Sequence, residues 1–98
     1  MQITYKSGKL KKICTSAYEA EKQYGRDMAE KIQHRIDQIV AAPSVEMMIQ
    51  FRIGRCHPLT GNRKNQYAVD LVHPFRLIFE QKGTEIQIAN ILEIVDYH

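Results

Sequence analysis

The chain predicts an α+β fold in which a helical hairpin packs on one face of a small antiparallel, meandering β-sheet. Three observations carry that expectation. Apolar residues recur at helical spacing through the first half, from Leu10 to Val40. From Gln66 onward they alternate with period two instead. Turn-forming residues, Gly25 and the Lys82-Gly83 pair, punctuate the runs. A helix and a strand each present one apolar side, so helices followed by strands close into two layers around one core.

Each element has its own local reason. Gln2 to Tyr5 alternates polar with apolar residues and reads as a short opening strand. Ser7 then offers a helix cap, followed by Leu10, Ile13, Cys14, Ala17 and Tyr24 at helical spacing. Ser16 and Glu19 form a capping box, which predicts a break at Thr15 and a restart. Gly25 suits the left-handed residue that closes a helix. Beyond it Met28, Ala29, Ile32, Ile36, Ile39 and Val40 make an apolar stripe that ends at Pro43. Glu30, Lys31, Gln33, His34 and Asp37 occupy the opposite, wet face. A single glycine-centred turn folds the two runs into an antiparallel hairpin. Ser44 either caps one more turn through Met47 and Met48 or opens a loop.

In the second half, Tyr67, Val69 and Leu71 share one strand face, as do Phe75, Leu77 and Phe79, with His73-Pro74 as the turn between them. Lys82-Gly83 predicts a tight turn into a third strand from Glu85 to Tyr97, marked by Ile86, Ile88, Leu92 and Ile94. Its alternation slips at Asn90-Ile91, which predicts a bulge there. The expected core includes Tyr67, Phe75 and Phe79, and the sheet face away from the helices is left for function.

At 98 residues the chain has the size of one domain, 1–98, and shows no linker-like stretch. It has two cysteines, no signal-peptide layout at its start and no apolar run near the ~20 residues of a spanning helix, so a reduced, cytoplasmic setting away from membranes is expected. The net charge of +3 is unevenly spread. Arg52, Arg55, Arg63, Lys64 and Arg76 face a single acid, Asp70, in the middle of the chain, and Lys6, Lys9, Lys11 and Lys12 cluster near the start. The last residues lean acidic, with Glu80, Glu85, Glu93 and Asp96 against Lys82. A polyanion or an acidic partner fits that pattern, and so does a merely solvated basic face.

Three segments carry a family resemblance. His57-Pro58-Leu59-Thr60-Gly61-Asn62-Arg63-Lys64-Asn65-Gln66-Tyr67 is similar to the H-P-L-x-G-x-R-K-x-Q-Y segment of HigB-like toxins. Pro74-Phe75-Arg76-Leu77-Ile78-Phe79 resembles their aromatic-arginine-apolar strand, and Asp96-Tyr97-His98 resembles their closing D-Y-H. The opening residues 2–10 and the break at Ser16 depart from better-known members. The resemblance, to the HigB-like branch of the RelE/ParE superfamily, implies a compact, cytoplasmic toxin that cleaves messenger RNA on the ribosome without a cofactor or metal. It also implies inhibition by a small helix-turn-helix antitoxin, HigA-like, through which alone the toxin would associate with DNA.

Metal-free RNA cleavage needs a base for the ribose 2′-hydroxyl, donors for the charge growing on the phosphate, and an acid for the departing 5′-oxygen. His57 and His98 carry imidazoles, which accept or donate protons near neutrality. Asp96 would act as a base or orient an imidazole, while Lys64 and Arg76 supply catalytic cations. Arg55 and Arg63 would bind RNA, and Tyr97 would stack on a base. Lys9, Lys11 and Lys12 would meet an acidic segment of the antitoxin.

Each residue also has a plainer reading. His57 before Pro58 suits any loop; His34 and His73 read as structural; Arg76 would equally serve a salt bridge to Asp70 or Glu80. Neither Cys56-His57 nor Asp96-His98 has the second close pair of a zinc site. Cys14 lies on the apolar stripe and reads as a small core residue. Two other functions suit the same scaffold: a ParE-like toxin that poisons DNA gyrase without cutting, and an inactive relative that only regulates transcription with its antitoxin.

Overall fold

The computed structural model describes residues 1–97. The expected break between the first two helices is present, and one residue makes it. Helix α1 (Gly8–Thr15) starts at Ser7, whose Oγ accepts from the Leu10 amide at 3.1 Å. Ser16 ends α1 in extended backbone, and its own Oγ accepts from the Glu19 amide to start α2 (Ala17–Tyr24). Gly25, at φ 90°, turns the chain into α3 (Arg26–Ala41). The short α4 (Val45–Gln50) forms as well, because Ser44 Oγ accepts from the Met47 amide at 3.2 Å.

Helix α3 buries Met28, Ala29, Ile32, Ile36 and Ile39 as its spacing requires. Val40 leaves the stripe and is 52% exposed. Each i+4 step overshoots a full helical turn by about 40°. The row Ile32, Ile36, Val40 therefore drifts off the buried side while Ile39, an i+3 step, stays on it.

Five strands follow the order β1-β5-β4-β3-β2, with β1 (Gln2–Tyr5), β2 (His57–Pro58), β3 (Gln66–Asp70), β4 (Phe75–Lys82) and β5 (Ile88–Asp96). The antiparallel meander is β3-β4-β5, as the alternation predicts. Around it the sheet is mixed: β1 pairs with β5 in parallel, Gln2 opposite Ile88 and Tyr5 opposite Ile91. The two-residue β2 extends the other edge, placing His57 opposite Ala68.

The connection after β4 is longer than a tight turn, running from Gly83 to Gln87, so β5 begins at Ile88 and Ile86 is 64% exposed. Gly83 sits at φ 83°, where a Cβ would lie 2.3 Å from the Ile86 carbonyl oxygen. The bulge falls beside the expected place: Ile78 pairs with Glu93 and Phe79 with Ile91, leaving Leu92 as the extra residue.

Helices and sheet enclose Ile32, Ile39, Met48, Val69, Leu77, Phe79 and Ile91. Tyr67 stacks on Phe79 with ring centroids 5.7 Å apart, and Phe75 meets Tyr24 edge-on at 5.6 Å. On the opposite sheet face Ala68 and Ile78 are also buried but stand apart from this core. Arg63, from the loop after β2, reaches across that face to Glu93, the residue paired with Ile78. The same face, one step along the strands, carries Asp70 and Arg76.

Candidate functional site

The site lies where the open sheet face meets the β2 edge. A hollow of about 310 Å³ is lined by His57, Pro58, Leu59, Thr60, Arg63, Arg76 and Tyr97. A neighbouring one of about 570 Å³ shares His57 and Arg76 with it and adds Ile49, Arg52, Arg55 and Cys56. Four residues singled out in the sequence, His57, Arg63, Arg76 and Tyr97, thus converge from β2, the loop after it, the central strand β4 and the residue that follows β5.

Each is held for a local reason. The His57 ring places Nδ1 2.8 Å from the Arg55 carbonyl oxygen. A carbonyl only accepts, so Nδ1 carries the proton and Nε2 of the neutral ring is left as the acceptor. Tyr97 is fixed by its amide, which donates to the Pro74 carbonyl at 3.0 Å. Its ring, 39% exposed, lies 4.9 Å from the Arg76 guanidinium in a cation–π contact, and the arginine side chain stays 33% exposed. Arg63 is braced by Glu93 at 2.9 Å and by Gln66 at 2.8 Å.

The organising residue is Asp70. Its Oδ1 lies 3.4 Å from Arg76 Nε and its Oδ2 3.4 Å from Arg55 Nε, so one carboxylate spaces two guanidinium groups. Oδ1 is buried without a hydrogen bond, which leaves the ion pair with Arg76 to offset its desolvation. The Asp70 carbonyl accepts from Arg35 Nε at 2.6 Å, anchoring the end of β3 to α3. Gly54 makes that anchor fit, since a Cβ there would stand 2.9 Å from Arg35 Nε. From the sequence, Asp70 stands out only as the lone acid of the basic stretch and a salt-bridge partner, Arg52 only as one cation of that stretch, and Arg35 and Gly54 not at all. A lone arginine on a helix and a glycine in a loop carry no signal until the fold brings them together.

Arg52, Gly54 and Arg55 all have φ between 54° and 59°. A non-glycine residue there costs roughly 1–2 kcal/mol. The two arginines in that backbone both line the larger hollow.

Other expected residues stand apart. Lys64 is exposed in the loop beyond the residues lining either hollow. Asp96 is opposite Phe75 in the register, on the strand side away from Arg76, and lines neither hollow. Strand parity is the reason: cross-strand partners share a face, and Phe75 belongs to the helix-facing side. Lys9, Lys11 and Lys12 are exposed on α1, which packs at the β1 and β5 side, across the sheet from β2. His98 lies outside the described residues.

Burial pushes the Cys56 thiol up to about 12 and the Cys14 thiol to about 11. Both stay protonated at neutral pH, which makes neither a nucleophile. Among the described residues no helix is long and apolar enough to cross a membrane.

No protein-family model and no curated protein matches the chain. Among solved structures it is similar to a YoeB/ParE toxin from Agrobacterium tumefaciens, with a TM-score of 0.61 and 13% identity over 100% of both chains. At that identity the likeness speaks for the fold alone: among the described residues, four helices on a five-stranded mixed sheet, an α+β arrangement like that of the YoeB/ParE toxin.

Proposed function

We propose that the chain is the toxin of a toxin-antitoxin pair, of the HigB-like branch, and that it cuts messenger RNA on the ribosome in the cytoplasm. The observation that carries this reading is the meeting of an imidazole, two arginines and an exposed aromatic ring in one water-facing hollow. In the proposed reaction the ribose 2′-oxygen attacks the adjacent phosphorus and gives its proton to a base. The P–O5′ bond breaks and the departing 5′-oxygen takes a proton from an acid, leaving a 2′,3′-cyclic phosphate and a 5′-hydroxyl.

Arg76, beside the Tyr97 ring and spaced by Asp70, meets the non-bridging phosphate oxygens where negative charge grows. Arg63 guides the strand beside it, while Tyr97 offers a ring on which a base stacks. His57 Nε2 and His98 share the two proton transfers. Lys64 stands by as an outer cation, a role that requires its loop to close over the substrate.

The test is to map transcript ends after induction and to repeat the measurement with His57→Ala and His98→Ala. Loss of one acid–base group lowers cleavage by about 10²–10⁴ while leaving the unfolding midpoint nearly untouched. Gyrase-dependent DNA breaks with intact transcripts would instead establish the ParE-like reading. Harmless overproduction of folded chain would establish the regulatory one.

A further inference from the structure

We propose that the second hollow is a subsite for the adjoining stretch of a single-stranded RNA, holding its phosphate between Arg52 and Arg55 and its base on Ile49 and the neighbouring Phe51. The inference rests on the nuclease reading above and extends it to residues that grip the strand without taking part in the cut. Continuity is the first argument. The two hollows share His57 and Arg76, so a strand whose reacting phosphate sits on Arg76 has the larger hollow as its immediate neighbour.

Charge is the second. Arg52 and Arg55 line the second hollow and both are exposed, and the only carboxylate paired with Arg55 is the Asp70 that it shares with Arg76, among the described residues. Both arginines occupy left-handed backbone, at φ 54° and 55°, which glycine or asparagine adopts more readily.

Exposed apolar surface is the third. Ile49 lines the hollow and Phe51, two residues on, is 62% exposed. An aliphatic wall beside two guanidinium groups, with an open aromatic next to Arg52 in the chain, suits an unstacked base next to its phosphate; a duplex keeps its base faces covered.

Fluorescence anisotropy with 2′-O-methyl oligouridylates tests this, because these probes lack the attacking hydroxyl and report binding alone. The wild-type chain binds a five-nucleotide probe at least about tenfold more tightly than a two-nucleotide one, and Phe51→Ala or Arg52→Ala removes most of that gain. Loss of Arg52 also makes the salt dependence shallower by about 0.7 in log–log slope, one phosphate contact. Arg52→Asn, at home in left-handed backbone, replaces the alanine variant if that one fails to fold. A length gain that persists in all three variants overturns the subsite and leaves the nuclease reading intact. A hexaglutamate peptide that binds as tightly as the longer probe, with the same sensitivity to Phe51→Ala, overturns the RNA assignment in favour of an acidic protein partner. Failure of the wild-type chain to bind either probe overturns the subsite, whereas the reading beneath it falls only if transcripts also stay intact after induction.

Discussion

Arg76 has two neighbours that compete for the meaning of its charge. Asp70 makes it part of a structural ion pair, and Tyr97 makes it a platform open to solvent. Both hold because a guanidinium is planar, offering one edge to a carboxylate and one face to a ring. Lysine has neither the plane nor the fork. On the proposed nuclease reading, Arg76→Lys is expected to lower RNA cleavage by about 10²–10³ although the charge is kept, as read from initial rates on a cleavable reporter. A rate within a factor of three of wild type would mean that charge alone suffices there. The buried thiols make a second residue-scale prediction. An unfolded cysteine loses its proton near 9.0, whereas folded Cys14 and Cys56 hold theirs until about 11 and about 12. Above pH 9 the unfolded chain thus binds fewer protons, and stability falls as pH rises until the folded thiols ionise too. Below pH 9 the thiols contribute no pH dependence. Tyr5, Tyr24 and Tyr67, also raised by burial, act in the same direction. The urea midpoint should drop between about pH 9 and about pH 11, and drop less in the Cys14→Ala, Cys56→Ala double variant.

At the scale of elements, the most economical device is Ser16, which ends α1 and caps α2 with one side chain. Ser16→Ala removes the acceptor for the Glu19 amide and should cost about 1 kcal/mol. For a domain of this size that lowers the melting temperature by roughly 4–8 °C in calorimetry. Gly83→Ala should cost more, because its φ is 83° and the added Cβ meets backbone, the Ile86 carbonyl, rather than a movable side chain. Gly54→Ala is the informative contrast. Its Cβ meets the Arg35 guanidinium, which can swing away but then releases the Asp70 carbonyl. RNA cleavage should suffer out of proportion to the loss in melting temperature, since the end of β3 is what aims Asp70 at Arg55 and Arg76.

The whole molecule separates its charges. The arginine-lined hollows lie at the β2 side of the sheet, and Lys9, Lys11 and Lys12 lie on α1 at the opposite side. Two anionic partners can therefore engage without sharing a surface, provided that one is RNA and the other an acidic segment of an antitoxin. Exchanging the three lysines together for alanine should weaken the antitoxin complex, measured by calorimetry, and leave ribosome association unchanged. An unchanged complex would remove the electrostatic part of that pairing. Ribosome association should weaken steeply as salt rises, because neutralising phosphates releases their counterions.

Local chemistry made much of this legible in advance. Helix caps, the break at Ser16, the Gly25 turn and the period-two strands are short-range matters, each settled by side chains within a few residues of one another. Tertiary structure decided what depends on distant partners: the parallel seat of β1 on β5, the tiny β2, the position of the bulge, and the drift of Val40 off its stripe. The candidate site divides in the same way. His57, Arg63, Arg76 and Tyr97 stand in the segments that carry the resemblance to HigB-like toxins, whereas Asp70, Arg35 and Gly54 gain their roles only when α3, the turn after α4 and the end of β3 meet. Sequence periodicity fixes which side of an element is apolar. Which side chains face one another across the finished sheet follows from register, and register is set by contacts between residues far apart in the chain.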